Sequence, residues 1–268
     1  MAVRSKRSCS ITMPTDVEGD VLKGFFSELA GLLAERPEEI TLDCSLLVHV
    51  SSSHVNSLWE AQTICEHAGI RLRLCFVRYG LHRVLRVLDL DEFFLIDADS
   101  LETAEEPQEL PVRGRAMPVF NVDLTLTLTD ISLALERFET FVRGLGIPGQ
   151  CAFDLQTVFY EIMTNIRRHG GLDKSESVSV TVTPSCEKVT MNFVDAGRPF
   201  DPTGPMQKFD PRSAIKRRQR DGIGLSLIRR LVDRIRYQRV DGRLNVVTIE
   251  KDLRQDRREH HDQQRENR

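Results

Sequence analysis

Short apolar segments alternate with longer amphipathic segments over the first hundred residues. In residues 20–35 the apolar side chains recur three or four positions apart, which is typical of a helix with one buried face. Residues 70–77 alternate and then become fully apolar, as a buried strand does. The predicted strands are 8–13, 40–44 and 70–77, followed by an apolar segment at 93–96, and the predicted helices are 20–35, 51–67 and 80–88. This alternation predicts an α/β sheet with packed helices.

The second half of the chain has a different order of elements. Two helical patterns follow one strand pattern, and the later strands come in pairs. The predicted strands are 119–128, 177–183, 188–194, 236–240 and 244–250, and the predicted helices are 130–143, 150–169 and 223–235. This order predicts an α+β sandwich with helices on one face of a mixed sheet.

Two polar segments divide the chain. Residues 99–118 are rich in glutamate and proline, so they predict an interdomain linker, and residues 252–268 are densely charged with both signs, so they predict a solvated tail. The predicted organisation is therefore a first domain at 1–98, a linker at 99–118, a second domain at 119–251 and a tail at 252–268.

Composition narrows the choice of partners. Hydrophobic residues make up 40% of the 268 positions, and 37 basic against 40 acidic residues give a net charge of −3. This balance predicts no direct binding to nucleic acid. No apolar segment approaches the roughly 20 residues that span a bilayer, and the six cysteines are scattered, so a cytoplasmic protein without a membrane contact is expected.

Glu161 and Asn165 stand four positions apart on the long predicted helix, so they share one face beside its apolar stripe. An asparagine oxygen is a suitable ligand for Mg²⁺, and a carboxylate one turn away can orient or deprotonate a hydroxyl nucleophile. Ordinary surface polarity explains the same pair equally simply.

Two glycine-containing motifs follow. The segment 195–202 (DAGRPFDP) comes after a strand, where Asp195 could accept a hydrogen bond from an exocyclic amine while Gly197 allows close approach of a planar ring. Gly222 and Gly224 open a predicted helix, whose free N–H groups attract phosphate oxygens. Each motif alone is also compatible with a plain turn.

The three motifs together, in this order, resemble the nucleotide-binding fold shared by gyrase, Hsp90, histidine kinases and MutL. Within that group, residues 119–251 look most like the anti-sigma factor serine kinases. The resemblance implies ATP and Mg²⁺ as cofactors, Glu161 as catalytic base and Asn165 as the Mg²⁺ ligand. It also implies that the nucleotide is bound by Asn165, His169, Asp195, Gly197, Pro199, Gly222, Gly224 and Leu225.

Two further features belong to this resemblance. Residues 203–221, which are rich in lysine and arginine, would form a lid over ATP and neutralise phosphate charge. His169 could be read as a phosphoacceptor, but no dimerising helical hairpin precedes the domain. It is better interpreted as part of the nucleotide pocket or as a cation at a helix C-terminus.

Residues 8–98 resemble the STAS domain of anti-sigma factor antagonists, through the segments 41–44, 68–74 and 84–94. In those proteins a serine before the second helix is phosphorylated, and Ser52 occupies that position here. Ser51 stands where the family has aspartate, and His54 stands where it has glycine. Ser52 could instead act only as a helix cap.

The two resemblances imply a partner-switching regulator of transcription, as in a stress response. Its second domain would phosphorylate a serine on its own STAS-like domain or on a separate STAS protein, and its partners would be an antagonist of that kind, a sigma factor or another switch protein. The resemblance also implies that two copies of the chain could form a homodimer through their kinase domains, as is common in the family. The alternative is a non-catalytic, ATP-gated binding module with the STAS-like domain as its docking surface.

Overall fold

The computed structural model describes residues 8–100, 117–173, 175–204 and 222–253. These residues form two compact units, one built mainly from residues 8–100 and the other mainly from residues 117–204 and 225–253. Most of the expected linker (99–118), lid (203–221) and tail (252–268) lies outside the described residues.

The N-terminal unit is a parallel sheet with helices between its strands. Its strand order is β1-β2-β3-β4, and each neighbouring pair is parallel. The elements are β1 (Ser8–Thr12), α1 (Gly19–Ala34), β2 (Glu39–Asp43), α2 (Ser52–His67), β3 (Arg71–Cys75), α3 (Tyr79–Val87) and β4 (Leu95–Ile96). The predicted α/β architecture is confirmed.

The pleat of the central strands explains how this unit builds its core. Ile40 and Leu42 on β2 are fully buried, and Leu74 on β3 is buried beside them. The alternate position Glu39 instead points to the other face, where its carboxylate accepts hydrogen bonds from Arg73, with Nε to Oε1 at 2.9 Å. One face of these strands is thus apolar, and the opposite face carries the ion pair between Glu39 and Arg73.

The C-terminal unit is a five-stranded sheet with strand order β5-β6-β7-β9-β8. Its elements are β5 (Phe120–Thr125), α4 (Leu128–Gly144), α5 (Gly149–His169), β6 (Ser177–Pro184), β7 (Lys188–Asp195), α6 (Ile223–Leu231), β8 (Arg234–Val240) and β9 (Leu244–Asp252). All four pairings in this sheet are antiparallel, so the expectation of a mixed sheet is corrected. Hairpins join β6 to β7 and β8 to β9, and α4 and α5 lie between β5 and β6. Strands β7 and β8 run in the same direction, because both pair antiparallel with β9, which lies between them.

The last helix is shorter than its pattern predicts. It ends at Leu231 rather than near residue 235, because β8 starts at Arg234 and pairs with Glu250 of β9. The backbone N–H of Asp233 already donates to the carbonyl of Glu250 at 3.0 Å. The helix therefore ends four residues before its apolar pattern does, and sheet pairing begins within that interval.

An aromatic stack joins the helices to the sheet. The ring of Phe138 on α4 lies 5.0 Å from that of Phe159 on α5, which lies 5.8 Å from Phe193 on β7. All three rings are fully buried, and Val180 and Val182 on β6 are buried as well. A buried ion pair between Asp154 and Lys251, at 3.0 Å, ties α5 to β9. The long helix α5 is therefore held rigidly across the sheet, with its C-terminal half available to shape a site.

No helix among the described residues is both long and apolar enough to span a membrane.

Candidate functional site

An open pocket lies beside the C-terminal half of α5, with about 520 Å³ of empty space when the adjoining solvent is included. Ile162, Asn165, Ile166 and His169 all line it, because positions three, four and seven apart share one face of a helix. Its remaining lining is mostly apolar and comes from the loop after β7, from α6 and from strands β8 and β9. These residues are Gly170, Asp195, Arg198, Phe200, Pro202, Leu225, Ile228, Ile235, Asn245, Val247 and Ile249. A few polar groups among mostly apolar walls are typical of small-molecule sites.

Asp195, at the end of β7, is 4% exposed and faces this pocket. Its Oδ1 accepts hydrogen bonds from the backbone N–H of Gly197 and from Nδ2 of Asn245, both at 2.8 Å. Within the described chain no partner is assigned to Oδ2. The carboxylate is therefore fixed at one oxygen, and the other oxygen can accept a hydrogen bond from a bound molecule.

Asn245 is held by an extended set of hydrogen bonds. Its Nδ2 also donates to the carbonyls of Arg198 (3.0 Å) and Gly197 (3.3 Å), and its Oδ1 accepts from the Tyr237 hydroxyl (2.8 Å) and from Nη1 of Arg239 (2.7 Å). We call Asn245, Asp195, Tyr237 and Arg239, with the two carbonyls, the asparagine network. The network fixes the loop after β7 to strands β8 and β9.

The end of α5 approaches the same loop closely. The backbone N–H of Arg198 donates to the carbonyl of Gly170 at 2.7 Å. A Cβ atom on Gly197 would lie 2.7 Å from that carbonyl oxygen and 2.8 Å from Oδ1 of Asp195. Glycine is therefore required at position 197 for this close packing, and the requirement is steric because no positive φ is involved.

Aromatic and cationic side chains complete this wall. The rings of His169 and Phe200 are stacked with centroids 6.4 Å apart, and both line the pocket. Arg229 on α6 donates from Nε to the Pro202 carbonyl (3.0 Å) and from Nη2 to the Gly204 carbonyl (2.7 Å). Arg229 thus holds the backbone next to a pocket-lining proline.

The predicted nucleotide residues divide into two groups. Asn165, His169, Asp195 and Leu225 meet at the pocket. The other predicted residues are near it in the chain but do not belong to its lining: they are Glu161, Gly197, Pro199, Gly222 and Gly224. Glu161 lies one turn before Asn165 and is 1% exposed.

Gly222 and Gly224 lie at the start of α6. Gly222 has φ +98°, which explains why glycine stands at this position. Leu225, on the first turn of the helix, reaches the pocket. The first turn of α6 therefore contributes to the apolar lining of the pocket. The lid expected at 203–221 falls almost wholly outside the described residues.

A separate polar cluster surrounds the predicted phosphoacceptor in the N-terminal unit. Ser51 precedes α2, and Ser52 is the first residue of that helix, 7% exposed. Nδ1 of His54 accepts from the backbone N–H of Ser51 (3.1 Å) and lies 2.8 Å from its Oγ, while Nε2 lies 3.1 Å from the carbonyl of Thr15. We call Ser51, His54 and Thr15 the serine cap.

The serine cap explains both departures from the STAS pattern. His54 occupies the third helical position, where a capping box usually has glutamate or glutamine, and its ring nitrogen performs the same function. Since Nδ1 accepts from a backbone N–H, the proton belongs on Nε2, which donates to Thr15. Burial lowers the pKa of His54, and the Thr15 carbonyl and Asp16 partly oppose this effect.

The donor atoms of the pocket limit the metals that it could hold. In the part of the chain that the structure describes, no group of three or more His, Cys, Asp or Glu side chains is arranged to bind a metal ion. The Asn165 side chain supplies one neutral oxygen at the pocket wall. One such protein ligand fits Mg²⁺, which keeps several waters and takes further ligands from a phosphate chain.

Asn245 is the main pocket residue that sequence reasoning missed. It lies in none of the motifs, and its partner Asp195 is fifty positions away. A signal was nevertheless present: in β9, Asn245 has the inward parity of Val247 and Ile249, so an amide stands at a core position. Arg198 and Phe200 were within the quoted segment 195–202 but were not predicted to bind.

One family model and two solved structures are similar to part of this chain. The family model of the histidine kinase-like ATPase domain matches residues 124–251. Among solved structures, the RsbU and RsbW domains of Rv1364c from Mycobacterium tuberculosis align at 14% identity with a TM-score of 0.38. The SiaB-SiaC complex from Pseudomonas aeruginosa aligns at 12% identity with a TM-score of 0.40.

These alignments have different extents. The first covers 51% of this chain and 32% of the mycobacterial chain, so this chain spans about a third of that protein. The second covers 49% of this chain and 88% of the Pseudomonas chain. No curated protein matches this sequence significantly.

The family match coincides with the site. Every pocket-lining residue, from Ile162 to Ile249, falls within the matched segment. A domain of this kind implies ATP binding. Residues 124–251 of this chain are a histidine kinase-like ATPase domain.

Proposed function

We propose that the chain is an ATP- and Mg²⁺-dependent serine protein kinase that acts as an anti-sigma-type, partner-switching regulator. Its ATPase domain phosphorylates a serine on a STAS-like domain, either its own or that of a separate protein. Ser52 is the favoured acceptor in this chain. A new phosphate would place roughly two negative charges at the N-terminus of α2 and change which partner can dock there.

One observation carries this proposal: Asp195 and Asn165 line the same pocket within a histidine kinase-like ATPase domain. Asp195 offers a free carboxylate oxygen at one side of the pocket, where the exocyclic amine of adenine can bind. Asn165 offers an amide oxygen where a magnesium ion can be held. The pocket thus has a base-recognising group and a metal-holding group on two different elements.

The proposed roles along α5 are those that the resemblance to the anti-sigma factor serine kinases implies. Asn165 holds Mg²⁺, which when bound neutralises charge on the phosphate chain during phosphoryl transfer. Glu161, one turn earlier, orients the serine hydroxyl and accepts its proton. His169, stacked on Phe200, extends the wall of the pocket beside the nucleotide.

The test is phosphate transfer from γ-labelled ATP in the presence of Mg²⁺, with the modified residue mapped by mass spectrometry. Wild type should carry label on Ser52, and both Ser52→Ala and Glu161→Ala should lose it. Ser57→Ala is the matched control, because Ser57 is another buried serine of α2 whose hydroxyl donates within the helix to the Ser53 carbonyl. Label on Ser52 that persists in Glu161→Ala would contradict the assigned base.

A second candidate function has its own support. Glu161 is 1% exposed and is not part of the pocket lining, and Ser52 is also buried. A catalytic base and an acceptor need access to each other, so these burials favour a non-catalytic, ATP-gated binding module with the STAS-like domain as docking surface. ATP binding without phosphorylation of this chain or of an added STAS protein would exclude Ser52 as acceptor and favour the module over a kinase with a separate substrate.

A further inference from the structure

We propose that Asn245 is a positioning residue that sets base selectivity in the ATPase domain. It does so by fixing the Asp195 carboxylate so that one oxygen faces the pocket as a hydrogen-bond acceptor. This inference deepens the nucleotide-binding part of the proposed function and does not depend on kinase activity.

The orientation of the Asn245 amide is determined by its surroundings. The Tyr237 hydroxyl and the Arg239 guanidinium are 2.8 and 2.7 Å from Oδ1, and the guanidinium can only donate. The amide oxygen must therefore face β8, and the NH₂ group must face the loop after β7. A flipped amide would place NH₂ against a guanidinium and lose the bond to Arg239, and it would turn Oδ1 toward the Asp195 carboxylate.

This fixed amide in turn fixes Asp195. Nδ2 of Asn245 and the backbone N–H of Gly197 both donate to Oδ1 of the carboxylate at 2.8 Å. The carboxylate cannot rotate without breaking two buried hydrogen bonds. Its Oδ2 therefore keeps one direction, which matters because both Asp195 and Asn245 line the pocket.

The network is maintained at a cost, which is typical of functional sites. Nε of Arg239 is buried and has no hydrogen-bond partner in the described part of the chain. Its Nη1 nevertheless donates to both the Asn245 amide and the Gly197 carbonyl, at 2.7 and 2.8 Å. An arginine at the surface would satisfy all of its donors with water. Arg239 instead leaves one donor unpaired and uses another to orient the Asn245 amide.

The expected ligand chemistry follows from an oxygen that only accepts. An exocyclic amine at the purine 6-position donates to Oδ2, whereas a 6-oxo group would face it with another acceptor. A site built around a buried hydrogen bond rejects a ligand that lacks the partner strongly, because the buried group is then left unpaired. Adenine nucleotides are therefore selected over purine nucleotides without the amine or with a 6-oxo group.

The test compares dissociation constants of ATP, purine riboside triphosphate and inosine triphosphate on the full chain. Purine riboside triphosphate lacks the amine, and inosine triphosphate carries a 6-oxo group. In Asn245→Ala, ATP binding should weaken by about tenfold or more, the range expected for a hydrogen bond to a charged group. Binding of purine riboside triphosphate should change by less than about threefold, because it makes no such bond.

Two further variants keep the test independent of folding defects. Tyr237→Phe removes one donor to Oδ1 of Asn245 and should reduce ATP selectivity in the same direction but less. Asn192→Ala is the matched control, because Asn192 lies on the same sheet, bonds Thr248 at 2.7 Å and does not line the pocket. It should leave all three dissociation constants unchanged.

Each result decides between positioning and a general structural role. Equal weakening of ATP and purine riboside triphosphate in Asn245→Ala would overturn the inference, as would a wild type that does not prefer ATP. Wild type that selects ATP through Asn245 but places no phosphate on Ser52 would leave this inference standing and refute phosphorylation within the chain. A wild type that binds none of the three nucleotides would refute both.

Discussion

The serine cap and the asparagine network are both buried polar clusters beside a glycine- or serine-rich loop, yet they are built differently. In the serine cap the hydrogen bonds join Ser51 and His54, which are only three positions apart in the sequence. Both imidazole nitrogens of His54 have partners within the N-terminal unit. In the asparagine network the bond to Asp195 spans fifty positions, and Asp195 lines the pocket with both of its assigned hydrogen bonds on Oδ1.

This difference teaches how to separate a structural cluster from a binding one. A cluster whose polar groups satisfy one another locally stabilises its helix and needs no ligand. A cluster that fixes one atom of a group and leaves another facing a cavity is prepared for a ligand. The comparison therefore predicts that changes in the network affect nucleotide binding, whereas changes in the cap affect the stability of the N-terminal unit.

The largest expected effect comes from Asp195→Asn. The new amide can keep its oxygen toward Gly197 and Asn245, so the loop should remain folded, but its NH₂ would face the donor of adenine. We expect ATP affinity to fall by about 100-fold, the upper range for a lost hydrogen bond to a charged group. Isothermal titration on the full chain measures it. An unchanged affinity would show that Asp195 does not contact the base.

The same variant has a second, more specific consequence. An NH₂ directed at the pocket can donate to a 6-oxo group, so binding of inosine triphosphate should improve relative to ATP. A loss of affinity that is uniform across nucleotides would indicate damage to the pocket instead. Thermal unfolding of Asp195→Asn, compared with wild type, serves as the folding control.

The next effect is on stability and concerns His54→Leu. This change removes the acceptor for the buried backbone N–H of Ser51 and should lower the free energy of unfolding of the N-terminal unit by about 2 kcal/mol. His54→Gln should retain most of it, because glutamine is a usual capping-box residue. Urea unfolding followed by Trp59 fluorescence measures this unit, since Trp59 is the only tryptophan and packs on Phe93 and Phe94.

The binding readout sharpens this prediction. ATP affinity of His54→Leu should equal that of wild type, because the cap belongs to the other compact unit. A marked drop in ATP affinity would break the division between a structural and a binding cluster.

A smaller effect follows from the pKa of His54, which burial lowers from its usual value near 6.5. The unfolded chain then binds the proton more readily than the folded one, so the stabilisation is present above pH 6.5 and is lost as the pH falls below it. The slope from one group is at most about 1.4 kcal/mol per pH unit. Asp16, which favours the charged ring, and His49, which disfavours it, both modify this value.

Variants identify which histidine is responsible. The pKa of His82 is also lowered, by burial and then by Arg86, so His82 contributes to the same pH range. Urea midpoints between pH 7.5 and pH 5 should lose part of their acid dependence in His54→Gln and another part in His82→Gln. Acid dependence that is identical in wild type and His54→Gln would exclude the cap as its source.

Periodicity explains why most of the fold could be predicted. The spacing of apolar side chains predicts most helices and strands in both halves of the chain, because the side chains that become buried recur with the period of the helix or strand. The direction of strand pairing is not contained in that signal, so the antiparallel sheet was expected to be mixed. The end of α6 was misjudged for a related reason, because pairing of Arg234 with β9 competes with a helical pattern that continues to Ile235.

The candidate site was predictable only where its residues are close in sequence. Asn165 and His169 share a helix face, and Asp195 belongs to a recognisable motif. Asn245 acts through bonds to residues 47 to 50 positions away, which no local pattern specifies. The role of His54 was in principle readable, because Ser51 and His54 have capping-box spacing with histidine in the place of glutamate.

The smallest expected effect concerns Arg229, which supports the pocket wall from outside. Its guanidinium donates to the carbonyls of Pro202 and Gly204 from two different nitrogens. A lysine has a single ammonium group and cannot reproduce this fork, so in Arg229→Lys the backbone at Pro202 should be held less firmly. We expect ATP affinity to fall only about threefold, because Arg229 acts on the wall and makes no contact with the base.

Arg230→Lys, at the exposed neighbouring position, is the matched control and should bind ATP as wild type does. A loss in Arg229→Lys as large as that in Asp195→Asn would mean that the wall, rather than the fixed carboxylate, determines binding, and the contrast between the two clusters would have to be redrawn.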